Sequence, residues 1–305
     1  MRKVIITGPT GAIGIALIQK LVEEGIEVTA ICHRRSNRIG NIPNNGKIKI
    51  VPCDLNELYS LLDILDGGYD AFYHFAWECT IGESRNNIEI QMANLQYTID
   101  AVEVAGLLGC KKFIGAGSQA EYGRYEGMLN ADVPTFPENG YGIAKLCAGQ
   151  MSRIRCQQLG IQHIWARVLS VYGPCDGEST MIISMIRQLL NGERPKCTKG
   201  EQIWDYIYSK DAAKAFYLLG KYGRNGKIYC IGSGQGLHLK QYIDIIRKQI
   251  GANLGVGFGE IPYGDKQVMY LCADTSELQR DTGFKTEYTF EEGIRETIEW
   301  CRGDL

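Results

Sequence analysis

Two side chains four residues apart could exchange a proton with an alcohol or a carbonyl compound. On a helix, the spacing of Tyr141 and Lys145 puts the phenol and the ammonium group on one face. A nearby lysine charge lowers the pKa of a tyrosine toward the range in which it can transfer protons. The same spacing occurs at Tyr206–Lys210 and Tyr217–Lys221, but Ser118 singles out Tyr141. It lies 23 residues upstream, at the end of a predicted strand, and its hydroxyl could hold a substrate oxygen beside the phenol.

A glycine-rich loop follows the first predicted strand, the apolar run Val4–Thr7. It reads Gly8-Pro9-Thr10-Gly11-Ala12-Ile13-Gly14 and opens directly into a helix. Glycines at these positions permit a tight turn and let backbone N–H groups at the helix N-terminus approach a pyrophosphate. The loop therefore predicts dinucleotide binding. The later glycine cluster 232–236 precedes no strand–helix–strand unit, so we interpret it as a loop leading into a helix.

The end of the second predicted strand bears on the choice of cofactor. NAD-binding proteins place an acidic residue there, about 20 residues beyond the glycines, to bind the ribose hydroxyls. This chain has His33, Arg34 and Arg35 instead. Guanidinium groups at that position could bind a 2′-phosphate, so the sequence favours NADP(H), with NAD possible. The alternative is a basic loop that is simply solvated.

The elements that must position these residues alternate between strand and helix over the first half of the chain. Helical patterns occur near 56–66, 88–107 and 141–158. This alternation predicts an α/β fold with a doubly wound parallel sheet, whose ligands bind at the carboxyl ends of the strands. The predicted strands are Val4–Thr7, Val28–Cys32, Ile48–Cys53, Ala71–Ala76, Lys112–Ala116 and His163–Leu169.

Beyond about residue 170 the alternation weakens, which indicates a smaller mixed α/β region. We therefore expect a dinucleotide-binding domain at 1–170, to which 203–232 returns in part, and a substrate-binding region that is mainly 171–305. The predicted elements of the second region are the strands Ile203–Tyr208 and Lys227–Ile231 and helices near 180–191, 211–220, 239–250 and 290–301.

Composition excludes several classes of function. The 305 residues carry 33 Lys and Arg against 35 Asp and Glu, a formal net charge of −2, which argues against nucleic acid or anionic lipid as partner. No apolar run approaches the roughly 20 residues that a membrane-spanning helix needs. The 11 cysteines lack the paired spacing of metal or redox sites, so we expect no metal, reduced thiols and a cytoplasmic location.

Motifs along essentially the whole chain resemble those of the extended short-chain dehydrogenases/reductases, in the branch that contains nucleotide-sugar epimerases, dehydratases and reductases. The resemblance implies a Rossmann sheet, a nucleotide-sugar substrate and a homodimer formed through the helices near 88–107 and 141–158. The motifs are the Thr7–Gly14 loop, Cys53-Asp54-Leu55, His74-Phe75-Ala76-Trp77, Asn94, Gly117-Ser118-Gln119-Ala120-Glu121-Tyr122-Gly123, Tyr141–Lys145, Arg167–Pro174 and Trp204–Asp211.

The resemblance also implies a role for each matching residue. Tyr141 would pass a proton, Ser118 would orient a sugar oxygen, and Lys145 would bind the nicotinamide ribose and lower the pKa of Tyr141. The implied cofactor residues are Gly8, Thr10, Gly11, Ala12, Ile13, Gly14, His33, Arg34, Arg35, Asp54, Leu55, Phe75, Ala76, Trp77, Asn94, Lys145 and Leu169. The implied substrate residues are Trp77, Ser118, Gln119, Ser170, Arg187 and Trp204.

Departures from the family pattern narrow the chemistry. The 4,6-dehydratases carry an Asp-Glu pair where this chain has Gln119 and Ala120, so dehydration lacks its acid and base. Family members commonly have Asn at the position of Ser170 and an arginine that helps to clamp the diphosphate at the position of Trp204. Substrate recognition is therefore expected to differ, with Arg187 as a candidate diphosphate partner.

Two enzymatic readings and one non-enzymatic reading remain. The basic loop favours an NADPH-dependent reductase of a nucleotide-linked 4-keto-6-deoxy sugar, with Tyr141 as proton donor. The alternative is a nucleotide-sugar 4-epimerase that keeps NAD bound and returns the hydride to the other face of the sugar. A non-catalytic dinucleotide sensor on the same fold is the third hypothesis, and retention of Ser118, Tyr141 and Lys145 argues against it.

Overall fold

A seven-stranded parallel sheet forms the centre of the first region in a computed structural model that describes residues 1–303. Its order is β12-β7-β5-β4-β1-β2-β3. Every neighbouring pair is parallel, as expected for buried apolar strands joined by helical crossovers. The strands are β1 (Lys3–Thr7), β2 (Glu27–Cys32), β3 (Ile48–Pro52), β4 (Ala71–His74), β5 (Lys112–Ser118), β7 (Gln162–Val168) and β12 (Lys227–Ile231).

Helices cover both faces of this sheet. Side chains of α1 and α5 join one buried cluster, and side chains of α2, α3 and the 3-10 segment Leu55–Asp63 join the other. The fold is thus the doubly wound Rossmann sheet that the sequence predicts. The helices are α1 (Ala12–Glu23), α2 (Ile88–Leu107), α3 (Gly140–Leu159), α4 (Met181–Leu190), α5 (Ser209–Tyr222), α6 (Leu239–Ile250), α7 (Ser276–Thr282) and α8 (Phe290–Gly303).

The chain reverses its direction of winding at β1, which lies between β2 and β4. A crevice opens at such a point, beyond the carboxyl ends of the strands. Here those ends lead into the loops that begin at Gly8, His33 and Phe75. Ser118 ends the adjacent strand β5, so the sheet brings the glycine loop and the candidate catalytic serine to one edge.

In the second region, small sheets pack with helices α4, α6 and α8, while α7 packs on the first region through Leu278. Helices α4, α6 and α8 share one buried cluster. The strand β12 belongs to the large sheet, and we retain the division at about residue 170 as a proposal; the last two residues of the second region lie outside the described part. The short strands are β6 (Met128–Leu129), β8 (Ser170–Tyr172), β9 (Lys196–Cys197), β10 (Ile203–Trp204), β11 (Tyr206–Tyr208), β13 (Leu237–His238), β14 (Gly257–Phe258) and β15 (Tyr270–Ala273).

Two predicted elements differ from the structure. The strand predicted at Ile203–Tyr208 is two strands in separate sheets, β10 beside β13 and β15, and β11 beside β8. The buried carboxylate of Asp205 lies between them and accepts backbone N–H groups of Ser233 (2.8 Å), Gly234 (3.0 Å) and Ala273 (3.0 Å). These bonds take the place of a continuous strand ladder.

The helix predicted near 56–66 is a 3-10 segment, Leu55–Asp63, with a non-helical backbone at Glu57. Leu58 and Leu61 are both fully buried in it. Because residues three apart eclipse one another in a 3-10 turn, this geometry directs both leucines to the sheet. In residues 1–303, no helix is both long enough and apolar enough to cross a membrane.

Candidate active site

Ser118 and Tyr141 meet where β5 ends and α3 begins. The side chain of Asn139 caps α3 by accepting the N–H of Gly142 at 2.9 Å, which fixes Tyr141 in the first turn. The phenol shares a hydrogen bond with Ser118. Burial raises the pKa of Tyr141, while the bond from Ser118 and the charge of Arg85 act in the opposite direction. The structure therefore brings the predicted serine and tyrosine into direct contact.

Lys145 lies one turn further along α3 and is only 4% exposed. Its Nζ donates to the carbonyl of Ala116 at 2.7 Å and lies 3.8 Å from the centroid of the Trp77 ring. Burial lowers the pKa of Lys145 to about 7, although the charge of Glu121 opposes this shift. A lysine with such a pKa can change protonation near neutral pH, beside the tyrosine that it is predicted to assist.

Trp77 connects the lysine to the tyrosine. Its ring lies edge-on to that of Tyr141, with centroids 6.1 Å apart, and its Nε1 donates to Oε1 of Gln91 at 2.9 Å. Asn94, a predicted cofactor residue, instead holds the backbone of Glu78: its Oδ1 accepts the N–H at 2.9 Å and its Nδ2 donates to the carbonyl at 3.0 Å. Gln91 and Asn94 thus fix the segment that presents Trp77.

Glu121 holds the backbone of Ser118, the predicted catalytic serine, and the sequence analysis assigned Glu121 no role. Its carboxylate is fully buried and accepts hydrogen bonds from the backbone N–H of Ser118 (2.8 Å), Trp165 Nε1 (3.0 Å) and Arg167 Nε (2.7 Å). Such a fully bonded buried carboxylate fixes the backbone that it holds. No local pattern reveals the contact, since Arg167 is 46 residues away in sequence.

A groove of about 540 Å³ lies at the carboxyl ends of β1, β2 and β3. A side chain on Gly8 would lie 2.7 Å from the nitrogen of Ala76, and one on Gly14 would lie 2.8 Å from the Cα of Pro9. Gly11, in contrast, faces open space just before α1. Seven of the residues predicted to bind the cofactor line the groove, namely Gly8, Thr10, His33, Asp54, Leu55, Ala76 and Trp77.

The open groove fits an extended dinucleotide. No side chain caps the first turn of α1, and no acidic residue lies in that turn. Its free N–H groups, starting at Ala12 and Ile13, are therefore available to an anion such as a pyrophosphate. Gly11 leaves the approach clear, which is the arrangement that the sequence predicts.

In the basic loop after β2, Arg34 is paired with acidic side chains. The guanidinium of Arg34 pairs with Glu57, at 2.9 and 3.2 Å, and its backbone N–H donates to Oδ1 of Asp54 at 2.9 Å. Neither Arg34 nor Arg35 is among the residues that line the groove, whereas Asp54 is. The prediction that both arginines face a cofactor phosphate has no support in this geometry, because Glu57 already neutralises Arg34.

The remaining predicted residues separate into two groups. Ser170 and Trp204 contact each other directly through a hydrogen bond of 2.7 Å, and Gln119 follows Ser118 in a short 3-10 turn. Arg187, in contrast, pairs with Glu178 at 2.6 Å and packs against Trp300 of α8. Its assignment as a diphosphate partner is therefore not supported by its contacts.

Two further residues that were predicted to bind the cofactor, Phe75 and Leu169, make contacts within the protein instead. The ring of Phe75 packs on Phe216 of α5, with centroids 4.6 Å apart, and Leu169 is buried with its N–H bonded to the carbonyl of Ile231 at 2.9 Å. Both residues adjoin strand ends at the sheet edge without lining the groove.

The parallel sheet, the glycine loop at its switch point and the serine, tyrosine and lysine beside it define a dinucleotide-dependent enzyme of the extended short-chain dehydrogenase/reductase class. Residues 4–232 match the sequence model of the NAD dependent epimerase/dehydratase family. The chain belongs to this family.

Similar proteins extend this result over the full length. The chain is 25% identical to a UDP-glucose 4-epimerase of Corynebacterium glutamicum, covering 94% of this chain and 92% of that protein. It is also 25% identical to a CDP-abequose synthase of Salmonella muenchen, covering 97% of each. Among solved structures, a UDP-N-acetylglucosamine 4-epimerase from Methanobrevibacter ruminantium M1, in complex with UDP-N-acetylmuramic acid, superposes with a TM-score of 0.90. The two are 25% identical over 100% of this chain and 99% of that one.

Proposed function

We propose that this protein is an NAD-dependent 4-epimerase of a nucleotide-linked sugar. The observation that carries the proposal is the contact of Tyr141 with Ser118, beside a buried Lys145 at the edge of a dinucleotide groove. Curated relatives named as UDP-glucose 4-epimerases favour epimerisation over the reductase that the basic loop suggested. Dehydration lacks the required acid pair at Gln119 and Ala120.

Each residue of the site has its own role in the proposed epimerisation. Tyr141 removes the proton of the sugar C4 hydroxyl and later returns it to the C4 oxygen. Ser118 holds that oxygen beside the phenol, and the positive charge of Lys145 favours the ionised phenol. A bound NAD would supply the acceptor that takes the C4 hydride and gives it back. Gly8, Thr10, Asp54 and Ala76 are positioned to hold it.

The contacts around the groove support NAD over NADP. Arg34 is paired with Glu57, and Asp54 lines the groove. A carboxylate accepts hydrogen bonds from ribose hydroxyls, and it would repel a 2′-phosphate. A second candidate, the NADPH-dependent 4-keto sugar reductase, is favoured by one observation: Arg35 is exposed and forms no ion pair within residues 1–303.

One experiment separates the two candidates. The purified protein is incubated with UDP-glucose and catalytic NAD, and the C4 configuration is followed by NMR. An epimerase forms UDP-galactose with no net change in absorbance of the reduced cofactor. A reductase instead consumes NADPH stoichiometrically with a nucleotide-linked 4-keto-6-deoxy sugar. Mass spectrometry of the cofactor released on denaturation identifies NAD or NADP independently.

We also propose a homodimer through α2 and α3. These helices pack on each other and leave apolar side chains exposed, including Met92, Ile143, Met151 and Ile154. The last three follow the spacing of one helix face on α3, and such a patch is typical of a protein–protein interface. Light scattering should give twice the monomer mass, and Ile154→Glu should give the monomer.

A further inference from the structure

Arg85 lies against the ring of Tyr141, and nothing in the sequence analysis assigned it a role. Its guanidinium carbon is 4.7 Å from the ring centroid. It belongs to the 3-10 turn Gly82–Asn86, between β4 and α2. The side chain of Asn86 accepts the N–H of Gly140, the first residue of α3, at 2.9 Å, so the turn is tied to the helix that carries the tyrosine. The position of Arg85 relative to Tyr141 is therefore built into the fold.

Within residues 1–303, the charge of Arg85 has no carboxylate counter-ion. Its Nε is buried and makes no hydrogen bond, and in residues 1–303 no carboxylate lies within ion-pair distance of it. Three other arginines are neutralised by carboxylates: Arg34 by Glu57, Arg124 by Glu138 and Arg187 by Glu178. A buried N–H without a partner costs free energy unless a ligand supplies an acceptor.

We propose that Arg85 is a specificity-determining residue that binds a carboxylate on the sugar, next to the carbon at which Tyr141 acts. The inference rests on the proposed function and names its substrate class, a nucleotide-linked uronic acid. The planar guanidinium matches a carboxylate with two parallel N–H donors, which a hydroxyl group cannot use.

The position of the reacting carbon indicates whether Arg85 faces a carboxylate on the sugar or the nucleotide diphosphate. Tyr141 must reach the oxygen on C4 of the sugar, whereas the nucleotide diphosphate is attached to C1 on the opposite side of the ring. The carbon next to C4 that can carry a carboxylate is C5. An anion held beside Tyr141 is therefore the C6 carboxylate of a uronic acid rather than the diphosphate.

Binding measurements test this assignment without relying on turnover. Affinities for UDP-glucuronic acid, UDP-glucose and UDP are measured calorimetrically on the NAD-loaded protein in the Tyr141→Phe background, which keeps the ring and stops the reaction. Arg85→Gln should weaken the binding of UDP-glucuronic acid by about 10- to 100-fold, and that of UDP-glucose and UDP, which carry no carboxylate, by less than about 3-fold. Arg85→Lys should weaken the binding of UDP-glucuronic acid by an intermediate factor, since lysine keeps the positive charge but lacks the two parallel N–H donors.

Two controls keep the result interpretable. Arg280→Gln removes an exposed arginine of α7 and should change none of the affinities. Thermal melting shows whether Arg85→Gln is folded, and NAD affinity shows whether the groove is intact.

The outcomes point to different conclusions. An equal loss for all three probes would mean that Arg85 binds the diphosphate, and no loss for any would mean that it binds no ligand; either result overturns the inference. If the Tyr141→Phe protein that retains Arg85 binds none of the three probes, the proposed function itself is contradicted.

Discussion

The indole Nε1 of Trp204 donates a hydrogen bond to Oγ of Ser170 at 2.7 Å. At positions 204 and 170, the resemblance to the family leads us to expect an arginine and an asparagine, respectively. The pair joins β10 to β8, which belong to different small sheets of the second region. The two side chains are hydrogen-bonded to each other, so a change at either position removes the partner of the other.

A double-mutant cycle on this pair should show that coupling. Trp204→Phe and Ser170→Ala should each lower the free energy of unfolding, and the double variant should lose less than the sum of the two. The expected coupling is about 0.5–1.5 kcal/mol, the usual net value of a hydrogen bond. Urea unfolding monitored by circular dichroism measures all four proteins. Strict additivity would show that the bond contributes nothing to stability.

The glycine loop offers a second test, because two of its glycines have different surroundings. A methyl group on Gly14 would meet the backbone of Pro9 at 2.8 Å, whereas one on Gly11 meets no atom within 4 Å. Gly14→Ala should therefore lower the melting temperature, and Gly11→Ala should leave it nearly unchanged. Gly11→Ala should still weaken NAD by at least about 10-fold, since its methyl group occupies the approach to the N-terminus of α1.

Melting temperatures and NAD titrations of the two glycine variants test this prediction. If Gly11→Ala bound NAD normally, the pyrophosphate would not lie over α1. The surface variant Gly264→Ala also places its methyl in open space and is the control for glycine replacement itself.

Much of the fold follows from the sequence because buried parallel strands are continuous apolar runs, which Val4–Thr7 and Lys227–Ile231 display. Prediction failed where a distant polar contact decides the local structure. Asp205 interrupts an apparent strand because its carboxylate is bonded to backbone groups 28 to 68 residues away.

The same reasoning applies to the candidate site. Gly8, Ser118, Tyr141 and Lys145 could be predicted as site residues because their types, their spacing and their places at strand and helix ends can be read from the sequence. Arg85 could not be predicted as a site residue, since its position beside Tyr141 depends on the contact of a loop with a helix that begins more than 50 residues later.

Replacement of the phenol tests whether the site is catalytic. Tyr141→Phe removes the proposed proton donor and acceptor and keeps the ring in contact with Trp77 and Arg85. Turnover should fall by about 10²- to 10⁴-fold, the usual contribution of a general acid–base, with NAD affinity unchanged. Steady-state kinetics and NAD titration measure the two effects. Unchanged turnover would favour the non-catalytic sensor.

The buried pair of Glu121 and Arg167 supplies a stability prediction. Glu121→Gln leaves the Arg167 guanidinium buried without its counter-charge, which should cost about 3–5 kcal/mol of unfolding free energy. Replacing both residues, as Glu121→Gln with Arg167→Met, should recover part of that loss. The comparison needs only denaturant unfolding curves. A single variant as stable as the parent protein would show that the pair is exposed to water in solution.

The depressed pKa of Lys145 predicts how stability depends on pH. Burial lowers this pKa from 10.5 to about 7, so between those values the unfolded chain binds a proton that the folded chain does not. The folded state therefore gains stability from this group as pH rises from 7 toward 10.5. At pH 7 and below, the cost of burying the charge is greatest, on the order of 5 kcal/mol at about 1.4 kcal/mol for each pKa unit.

Lys145→Met removes that cost along with the ammonium group that we propose assists Tyr141. The variant should exceed the parent protein in unfolding free energy by the largest margin near pH 6, and the margin should shrink steadily toward pH 10. Urea unfolding at pH 6, 7, 8 and 9 measures it, with Lys248→Met, an exposed lysine of α6, as the control that should show no such trend. A margin independent of pH would mean that Lys145 keeps an ordinary pKa, and the ammonium group would then be charged throughout the working range of the enzyme.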